Sequence, residues 1–148
     1  MIERYTNPEM GNIWSDQAKY QTWLDVEIAA CEANCKLGKI PQSAMETIRT
    51  KARFKPERIL EIEEEVRHDV IAFLTNVNEY VGDAGRYIHV GMTSSDVLDT
   101  GLALQLKSSV KLLRKELLLL EEAIRDLASQ HKKTVMIGRS HAIHGEPI

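Results

Sequence analysis

The sequence lacks several features that would place it in a class at once. It has only two cysteines, no apolar run of membrane-spanning length and no excess of positive charge. A net charge of -3 excludes the electrostatic footprint of a nucleic-acid partner. Because acids and bases are interleaved, there is no charged patch for a membrane either. The N-terminus has no apolar signal core, so we expect a cytoplasmic protein.

The two cysteines, Cys31 and Cys35, lie four residues apart on one predicted helix face. A disulfide is geometrically awkward at that spacing, and a metal pair would need further ligands. We therefore interpret both residues as core thiols in a reducing compartment.

What the sequence does contain is a succession of helix signals. Ser15 begins a helix that ends at Gly38, Pro41 and Pro56 open two more, and Asp69 is well placed as the N-cap of a fourth. The apolar positions that recur at helical spacing and are expected to face the core are Trp23, Val26, Ala30, Ala33, Leu37, Met45, Ile48, Ala52, Ile59, Ile62, Val66, Val70, Phe73, Leu74, Val77 and Tyr80.

A cluster of glutamates lies on the third of these helices. As paired carboxylates they could bind a metal, but no histidine or apolar cover is interleaved with them. We interpret them as a solvated helix face, formed by Glu61, Glu63, Glu64 and Glu65.

The longest feature is one predicted helix from Ser95 to His131, opened by a turn at residues 91–96. Thr93 and Ser94 in this turn are typical helix-capping residues, because their hydroxyls can accept hydrogen bonds from the first free N–H groups. A helix start also favours a bound anion, so the motif alone leaves capping and anion binding open.

The long helix carries two apolar stripes, whereas a two-stranded coiled coil needs only one, so it is expected to pack inside a bundle. At the standard rise per residue it spans roughly 55 Å, more than a compact domain of this size needs. We expect other chains or further sequence to cover its apolar surface. The stripes are formed by Val110, Leu113, Leu117, Leu120, Ile124 and Leu127, and by Leu112, Leu119 and Ala123.

Two polar clusters are candidates for chemistry. Arg67, His68 and Asp69 combine a fixed cation, a titratable ring and a carboxylate, although a histidine at a helix junction is usually structural. His141 and His144 have a spacing that can place two imidazoles on one metal, but no third ligand is evident. Acid–base chemistry and structural packing are the other interpretations of these two histidines.

Four segments together resemble the adenylosuccinate lyase family of the fumarase and aspartase superfamily. They are Met1 to Tyr5, Arg67 to Val70, Gly91 to Thr100 and Gly138 to Pro147. The helix opening at residues 93–97 also occurs in the related muconate cycloisomerases. The first two segments are what direct the resemblance toward the purine enzymes.

The resemblance implies a β-elimination that uses no metal and no organic cofactor. Adenylosuccinate is split to AMP and fumarate, and the succinyl-carboxamide ribotide of purine biosynthesis is split likewise. By motif match, His141 is expected to be the general acid that protonates the departing nitrogen, with His68 supporting it. The residues expected to bind the nucleotide substrate are Arg4, Tyr5, Arg67, His68, Asp69, His89, Thr93 and Ser94.

The expected fold is all-α, with a small N-terminal helical domain at residues 1–91 and the beginning of a helical-bundle domain at residues 92–148. The family's flexible loop, which supplies the serine taken as general base, does not occur in this sequence. The family assembles its sites from three subunits of a tetramer. We therefore expect the chain to be the N-terminal part of a homotetrameric enzyme and to be inactive alone.

Two alternatives stay open. One keeps the superfamily and changes the substrate to a muconate or argininosuccinate type of compound. The other is a non-catalytic helical interaction module, in which the histidines and hydroxyls are only helix caps and core groups.

Overall fold

Helices make up most of the chain, as the all-α prediction requires, and a short β-hairpin is added near the C-terminus. The computed structural model describes residues 2–148, which divide into two compact units, one ending at Val110 and the other comprising Lys111–Ile148. In chain order the elements are a 3-10 turn at Glu3–Tyr5, α1 (Pro8–Ile13), α2 (Asp16–Lys36), α3 (Gln42–Lys51), α4 (Pro56–Val66), α5 (Asp69–Val81), a 3-10 turn at Gly82–Tyr87, α6 (Ser94–Gln130), β1 (Ile137–Ser140) and β2 (Ile143–Pro147).

The bounds of α2 follow the signals in the sequence. The Ser15 hydroxyl accepts a hydrogen bond from the Ala18 amide at 3.1 Å, which satisfies one free N–H of the first turn. At the other end Gly38 takes a φ of +73°, and its N–H donates to the Cys35 carbonyl at 2.9 Å. The predicted start and stop of this helix are confirmed.

The buried face of α2 differs from the predicted one. Of the predicted stripe only Trp23 is buried, whereas Leu37 is 70% exposed. The prediction was wrong because it counted apolar residues alone, and the true stripe passes through a glutamate. The buried side chains are Tyr20, Trp23, Leu24, Glu27 and Cys31.

The junction between α4 and α5 corrects a second prediction. The N-cap of α5 is His68 and not Asp69, because His68 Nδ1 accepts a hydrogen bond from the Ile71 amide at 3.4 Å. Val66, predicted to face the core, is 41% exposed at the end of α4. The glutamates of α4 are exposed or half-buried, as predicted for a solvated face.

Aromatic rings form the centre of the core in the first unit. Tyr20 stacks on Phe73 with ring centroids 6.0 Å apart, and Trp23 meets both rings edge-on. Val97, in the first turn of α6, is buried in the same cluster, and Gly101 lies against Trp23. Because of these contacts the start of α6 is anchored to α2.

The part of α6 in the second unit exposes its apolar side chains, as expected for a surface that other chains or further sequence cover. The exposed fractions lie between 53% and 64% for Leu113, Leu117, Leu118, Leu119, Leu120, Ile124 and Leu127. Beyond α6, strands β1 and β2 pair antiparallel, with Ser140 opposite Ile143.

The cysteines are unpaired, and Cys31 is buried whereas Cys35 is half-buried. Core packing is therefore confirmed for Cys31 and is partial for Cys35. In the part of the chain that the structure describes, no helix has the length and apolar character needed to cross a bilayer.

Candidate active site

The first group of predicted site residues occupies the turn between α4 and α5. Arg67 ends α4 with a φ of +52°, and its N–H donates to the Glu63 carbonyl at 2.9 Å. The neighbouring His68 ring caps α5, and the Asp69 carboxylate accepts a hydrogen bond from the Val70 amide at 2.7 Å. Arg67 and His68 are exposed and Asp69 is half-buried, so all three side chains are accessible to a ligand.

The capping role of His68 determines which of its nitrogens can act. Nδ1 must carry a lone pair to accept the Ile71 N–H, so the neutral ring holds its proton on Nε2. Asp69 Oδ1 lies 3.5 Å from the same Nδ1, a pairing that needs a proton there. The two interactions therefore alternate, and in the capping state Nε2–H is the ring's free donor.

The start of α6 holds the next pair, Thr93 and Ser94. The Thr93 N–H donates to the Asp96 carboxylate at 2.8 Å, and the Asp96 N–H donates to the Thr93 carbonyl at 3.0 Å. Capping by the two hydroxyls was predicted. Instead the Asp96 carboxylate accepts the Thr93 N–H, which is the side-chain-to-N-cap half of a capping box, and neither hydroxyl accepts a first-turn N–H. Within residues 2–148 neither hydroxyl makes a hydrogen bond, so both are available to a ligand.

His89 lies in the connection before α6. It contacts Glu27 of α2, a residue that was not predicted from the sequence to belong to the site. Its N–H donates to Glu27 Oε2 at 3.0 Å, and its Nδ1 lies 2.5 Å from Glu27 Oε1. Glu27 is only 1% exposed. The signal for it was present: a glutamate occupies a position in register with Trp23 and Cys31 along α2.

Burial controls the electrostatics of this pair. It raises the pKa of the Glu27 carboxyl above its usual range, because the charged form loses its water. The hydrogen bonds and the charge of His89 act in the opposite direction. The side chain of His89 is 20% exposed, so the ring joins the buried carboxylate to the surface.

His141, the predicted general acid, occupies the tip of the hairpin in the second unit. Two residues, His141 and Ala142, connect β1 to β2, with φ values of +50° and +64°. Positive φ at both positions is the signature of a type I′ turn, which normally contains Asn or Gly. The imidazole of His141 is exposed.

Backbone strain marks the same positions as the motifs do. Among the residues that the structure describes, the non-glycine residues with positive φ are Arg67, His89, His141 and Ala142. A left-handed conformation costs an L-residue roughly 1–2 kcal/mol, and such strain is concentrated at functional sites. Three of these four residues were predicted as site residues, and the fourth adjoins His141.

Arg4 and Tyr5 lie in the N-terminal 3-10 turn. The Arg4 guanidinium carbon is 4.8 Å from the centroid of the Tyr5 ring, a cation–π contact, and both side chains are exposed. The guanidinium therefore retains its hydrogen-bond donors for an anion.

The predicted site residues form separate groups in the structure. Within residues 2–110 no hydrogen bond or ion pair joins the Arg67–Asp69 group to His89, Thr93 or Ser94. Across the described residues there is also no cluster of three or more His, Cys, Asp or Glu side chains arranged to hold a metal ion. The support of His141 by His68 stays a prediction.

Comparison with known proteins places these groups in context. The chain matches the lyase family over residues 3–148. The adenylosuccinate lyase of Synechocystis sp. is 70% identical over 148 residues, which are 100% of this chain and 34% of that relative. The adenylosuccinate lyases of Aquifex aeolicus and Bacillus subtilis are 49% and 48% identical over 99% of this chain and 34% of their own length. The chain thus spans about a third of these relatives.

Two solved structures have the same fold. A fumarate lyase from Mesorhizobium sp. BNC1 superposes with a TM-score of 0.86 at 29% identity, over 96% of this chain and 34% of that one. The 3-carboxy-cis,cis-muconate lactonizing enzyme of Pseudomonas putida superposes with a TM-score of 0.88 at 30% identity, over 97% and 34%.

Proposed function

Because the chain belongs to the lyase family, we propose that it is the N-terminal part of an adenylosuccinate lyase. The observation that carries this proposal is the 70% identity, along the whole chain, to a relative of that name. The proposed reactions are the cleavage of adenylosuccinate to AMP and fumarate and the same elimination from the succinyl-carboxamide ribotide.

The elimination needs an acid and a base. A base removes a proton from the carbon beside a carboxylate, the carbon–nitrogen bond breaks, and the double bond of fumarate forms. The electron pair of the broken bond remains on the nitrogen, which takes a proton from the acid. We assign the acid to His141, because an imidazole can carry a proton near neutral pH and this one is exposed at the two-residue turn between β1 and β2.

The substrate-binding groups are the accessible polar residues of the first unit. Arg4 and Tyr5 bind the nucleotide portion, with Arg4 offering a fork of donors to phosphate oxygens. Arg67, His68 and Asp69 form a second contact with the nucleotide, and the Nε2–H of His68 is suited to support His141.

Two further groups complete the substrate contacts. Thr93 and Ser94 bind a succinyl carboxylate through their unpaired hydroxyls and the N–H groups of the helix start. His89 contacts a phosphate. No metal and no organic cofactor take part in the proposed reaction.

The exposed apolar face of α6 is proposed to pack against other subunits in a homotetramer. Seven apolar side chains that are more than half exposed form a surface that a helical bundle would bury. Because the family's serine loop does not occur in these 148 residues, they are proposed to be inactive alone. The proposed domains are residues 1–91 and 92–148, and the proposed compartment is the cytoplasm.

The test compares two variants of the hairpin turn in the full-length protein. His141→Asn removes the imidazole but retains a residue that tolerates positive φ, whereas Ala142→Gly relaxes the turn and keeps the imidazole. For His141→Asn we expect kcat for fumarate release to fall by about 10²–10⁴, the usual contribution of a general acid. Ala142→Gly should remain close to the wild type. Equal activity in the two variants would remove His141 from the reaction.

Calorimetry on the same protein separates the rival substrates. AMP is expected to bind as a product, whereas muconate and argininosuccinate compounds are not. If the protein binds a muconate compound but not AMP, the cycloisomerase alternative is favoured. The likeness to the Pseudomonas enzyme is the observation behind that alternative. A full-length protein that releases no fumarate and binds none of these compounds would favour the interaction module.

A further inference from the structure

The buried Glu27 carboxylate of α2 contacts His89 at two points. Glu27 Oε2 accepts the backbone N–H of His89 at 3.0 Å, and Oε1 lies 2.5 Å from the ring nitrogen Nδ1. The two residues are 62 positions apart in the chain. The same side chain therefore holds both the backbone and the ring of one residue.

Each of the two residues would be energetically unfavourable without the other. Glu27 is 1% exposed within a stripe that contains Trp23 and Leu24, where a charged group without a partner is strongly disfavoured. His89 has a φ of +67°, a conformation that is unfavourable for a residue with a Cβ. Their pairing compensates both costs, and it sets the geometry of the connection that leads to α6.

We propose that Glu27 is a positioning residue that holds His89 so that the Nε2–H of the ring binds an anionic group of the substrate. The inference rests on the proposed lyase function and adds a residue, on a different element, that acts through His89. The anionic group proposed above for His89 is a phosphate, and the experiment below distinguishes it from a carboxylate.

This role requires a proton on Nε2, because a neutral ring with its proton on Nδ1 would leave Nε2 as an acceptor. With one proton on each ring nitrogen, Nδ1–H donates to the carboxylate and Nε2–H is available to the substrate. If the Nδ1 proton moves to Glu27, Nε2 still carries its own proton and remains a donor. Within the described residues Nε2 has no hydrogen-bond partner, and 20% of the side chain is exposed. Nδ1 is thus paired with the Glu27 carboxylate, whereas Nε2 is available to a ligand.

Among the residues that the structure describes, the hydrogen bonds to the Glu27 carboxylate come from His89. The other titratable group that senses its charge is Cys31, one turn farther along α2, whose own pKa burial and Glu27 raise to about 11. That thiol donates to the Tyr87 carbonyl with a sulfur–oxygen distance of 3.6 Å, so its proton is not directed at the carboxylate.

The experiment compares Glu27→Gln with His89→Asn in the full-length enzyme, using adenylosuccinate kinetics. Glutamine preserves the size of the side chain but removes its charge, and asparagine tolerates positive φ. We expect Glu27→Gln to raise KM by about tenfold to a hundredfold, the loss typical of one hydrogen bond to a charged group, with kcat changed by less than about threefold. The inhibition constants of inorganic phosphate, AMP and fumarate then identify the anion. A rise confined to phosphate and AMP assigns a phosphate, and a rise confined to fumarate assigns a carboxylate.

A double variant tests whether Glu27 acts through His89. If it does, Glu27→Gln combined with His89→Asn has the KM of His89→Asn alone, whereas independent effects multiply. Leu24→Ala, a core change on the same helix, controls for lost stability and should leave KM unchanged. If Glu27→Gln does not accumulate as folded protein, Glu27→Asp replaces it, because it withdraws the carboxylate from Nδ1 while keeping the charge.

The possible failures are distinguishable. A wild-type protein that does not cleave adenylosuccinate overturns the proposed function. An active wild type whose KM is unchanged by Glu27→Gln overturns this inference alone, and so does a Leu24→Ala variant with the same KM rise or a double variant with multiplied effects.

Discussion

Gly101 lies directly against Trp23: a Cβ at position 101 would be 2.8 Å from the indole Cδ1 and 3.1 Å from Thr22 Oγ1. Trp23 is 4% exposed and packed edge-on against Tyr20 and Phe73, so the indole has no room to move away. This contact lets the backbone of α6 approach α2 closely and holds the start of α6, with Thr93 and Ser94, in place.

Gly101→Ala is therefore expected to destabilise the chain. Overpacking costs about 1–3 kcal/mol and the higher helix propensity of alanine returns roughly 1 kcal/mol, so the expected net loss is up to about 2 kcal/mol. Urea unfolding measures the difference. Thr100→Ala, at the exposed neighbouring position, has a somewhat smaller propensity gain without the clash and should be neutral or stabilising. A Gly101→Ala variant as stable as Thr100→Ala would contradict the close approach.

Asn76→Ala is expected to weaken the hydrogen-bonded contact between α5 and the start of α4. Asn76 is fully buried, its Oδ1 accepts the Lys55 N–H at 2.8 Å, and its Nδ2 donates to Glu79 at 2.9 Å. Removing the amide leaves the Lys55 N–H without an acceptor, which costs about 1–3 kcal/mol. Thr75→Ala, exposed on the same helix, is the matched control, and thermal unfolding should separate the two variants clearly.

The lowered pKa of Glu79 predicts that the folded chain loses stability in acid. Hydrogen bonds from Arg58 and Asn76 hold the pKa of its carboxyl below the ordinary value of 4.5. Because the unfolded chain binds the proton more readily, this contribution is complete above pH 4.5 and is lost as the pH falls through the lower folded-state pKa. In urea titrations from neutral to acidic pH, Glu79→Gln should flatten this decline. Glu65→Gln, an exposed glutamate on α4, should leave it unchanged.

The cysteines are expected to differ in reactivity. Burial, and next the charge of Glu27, raise the pKa of the Cys31 thiol from 9.0 to about 11, and the residue is 1% exposed. The shift lowers its thiolate fraction about a hundredfold, so iodoacetamide should alkylate Cys35 well before Cys31 in the native chain. Peptide mass spectrometry follows both sites. In urea the two rates should converge, and equal rates in the native chain would contradict the burial of Cys31.

The prediction of helices from the sequence succeeded where a local signal decides the backbone. Ser15 and Gly38 bound α2 because a hydroxyl cap and a left-handed glycine act within a few residues. Pro41 and Pro56 mark the starts of α3 and α4 for the same local reason. The exposed apolar length of α6 could also be predicted, since its stripes exceed what the chain itself can cover.

The prediction failed where a distant residue decides. A glutamate in α2 counts as polar in any local pattern, so the buried face was assigned to the wrong stripe. Only its contact with His89 makes burial of Glu27 tolerable. The hairpin was missed as well, because His141 and Ala142 are not residues that predict a type I′ turn.

The helical class, the bounds of the main helices and the positions of the polar motifs could be read from the residues alone, because caps, prolines, glycines and apolar periodicity act over one or two turns. The fold was needed to reveal that the buried Glu27 carboxylate pairs with His89 and that His89 adopts a left-handed backbone conformation. These features depend on which groups meet across the fold, and burial and hydrogen bonding between distant residues set the free energy of each.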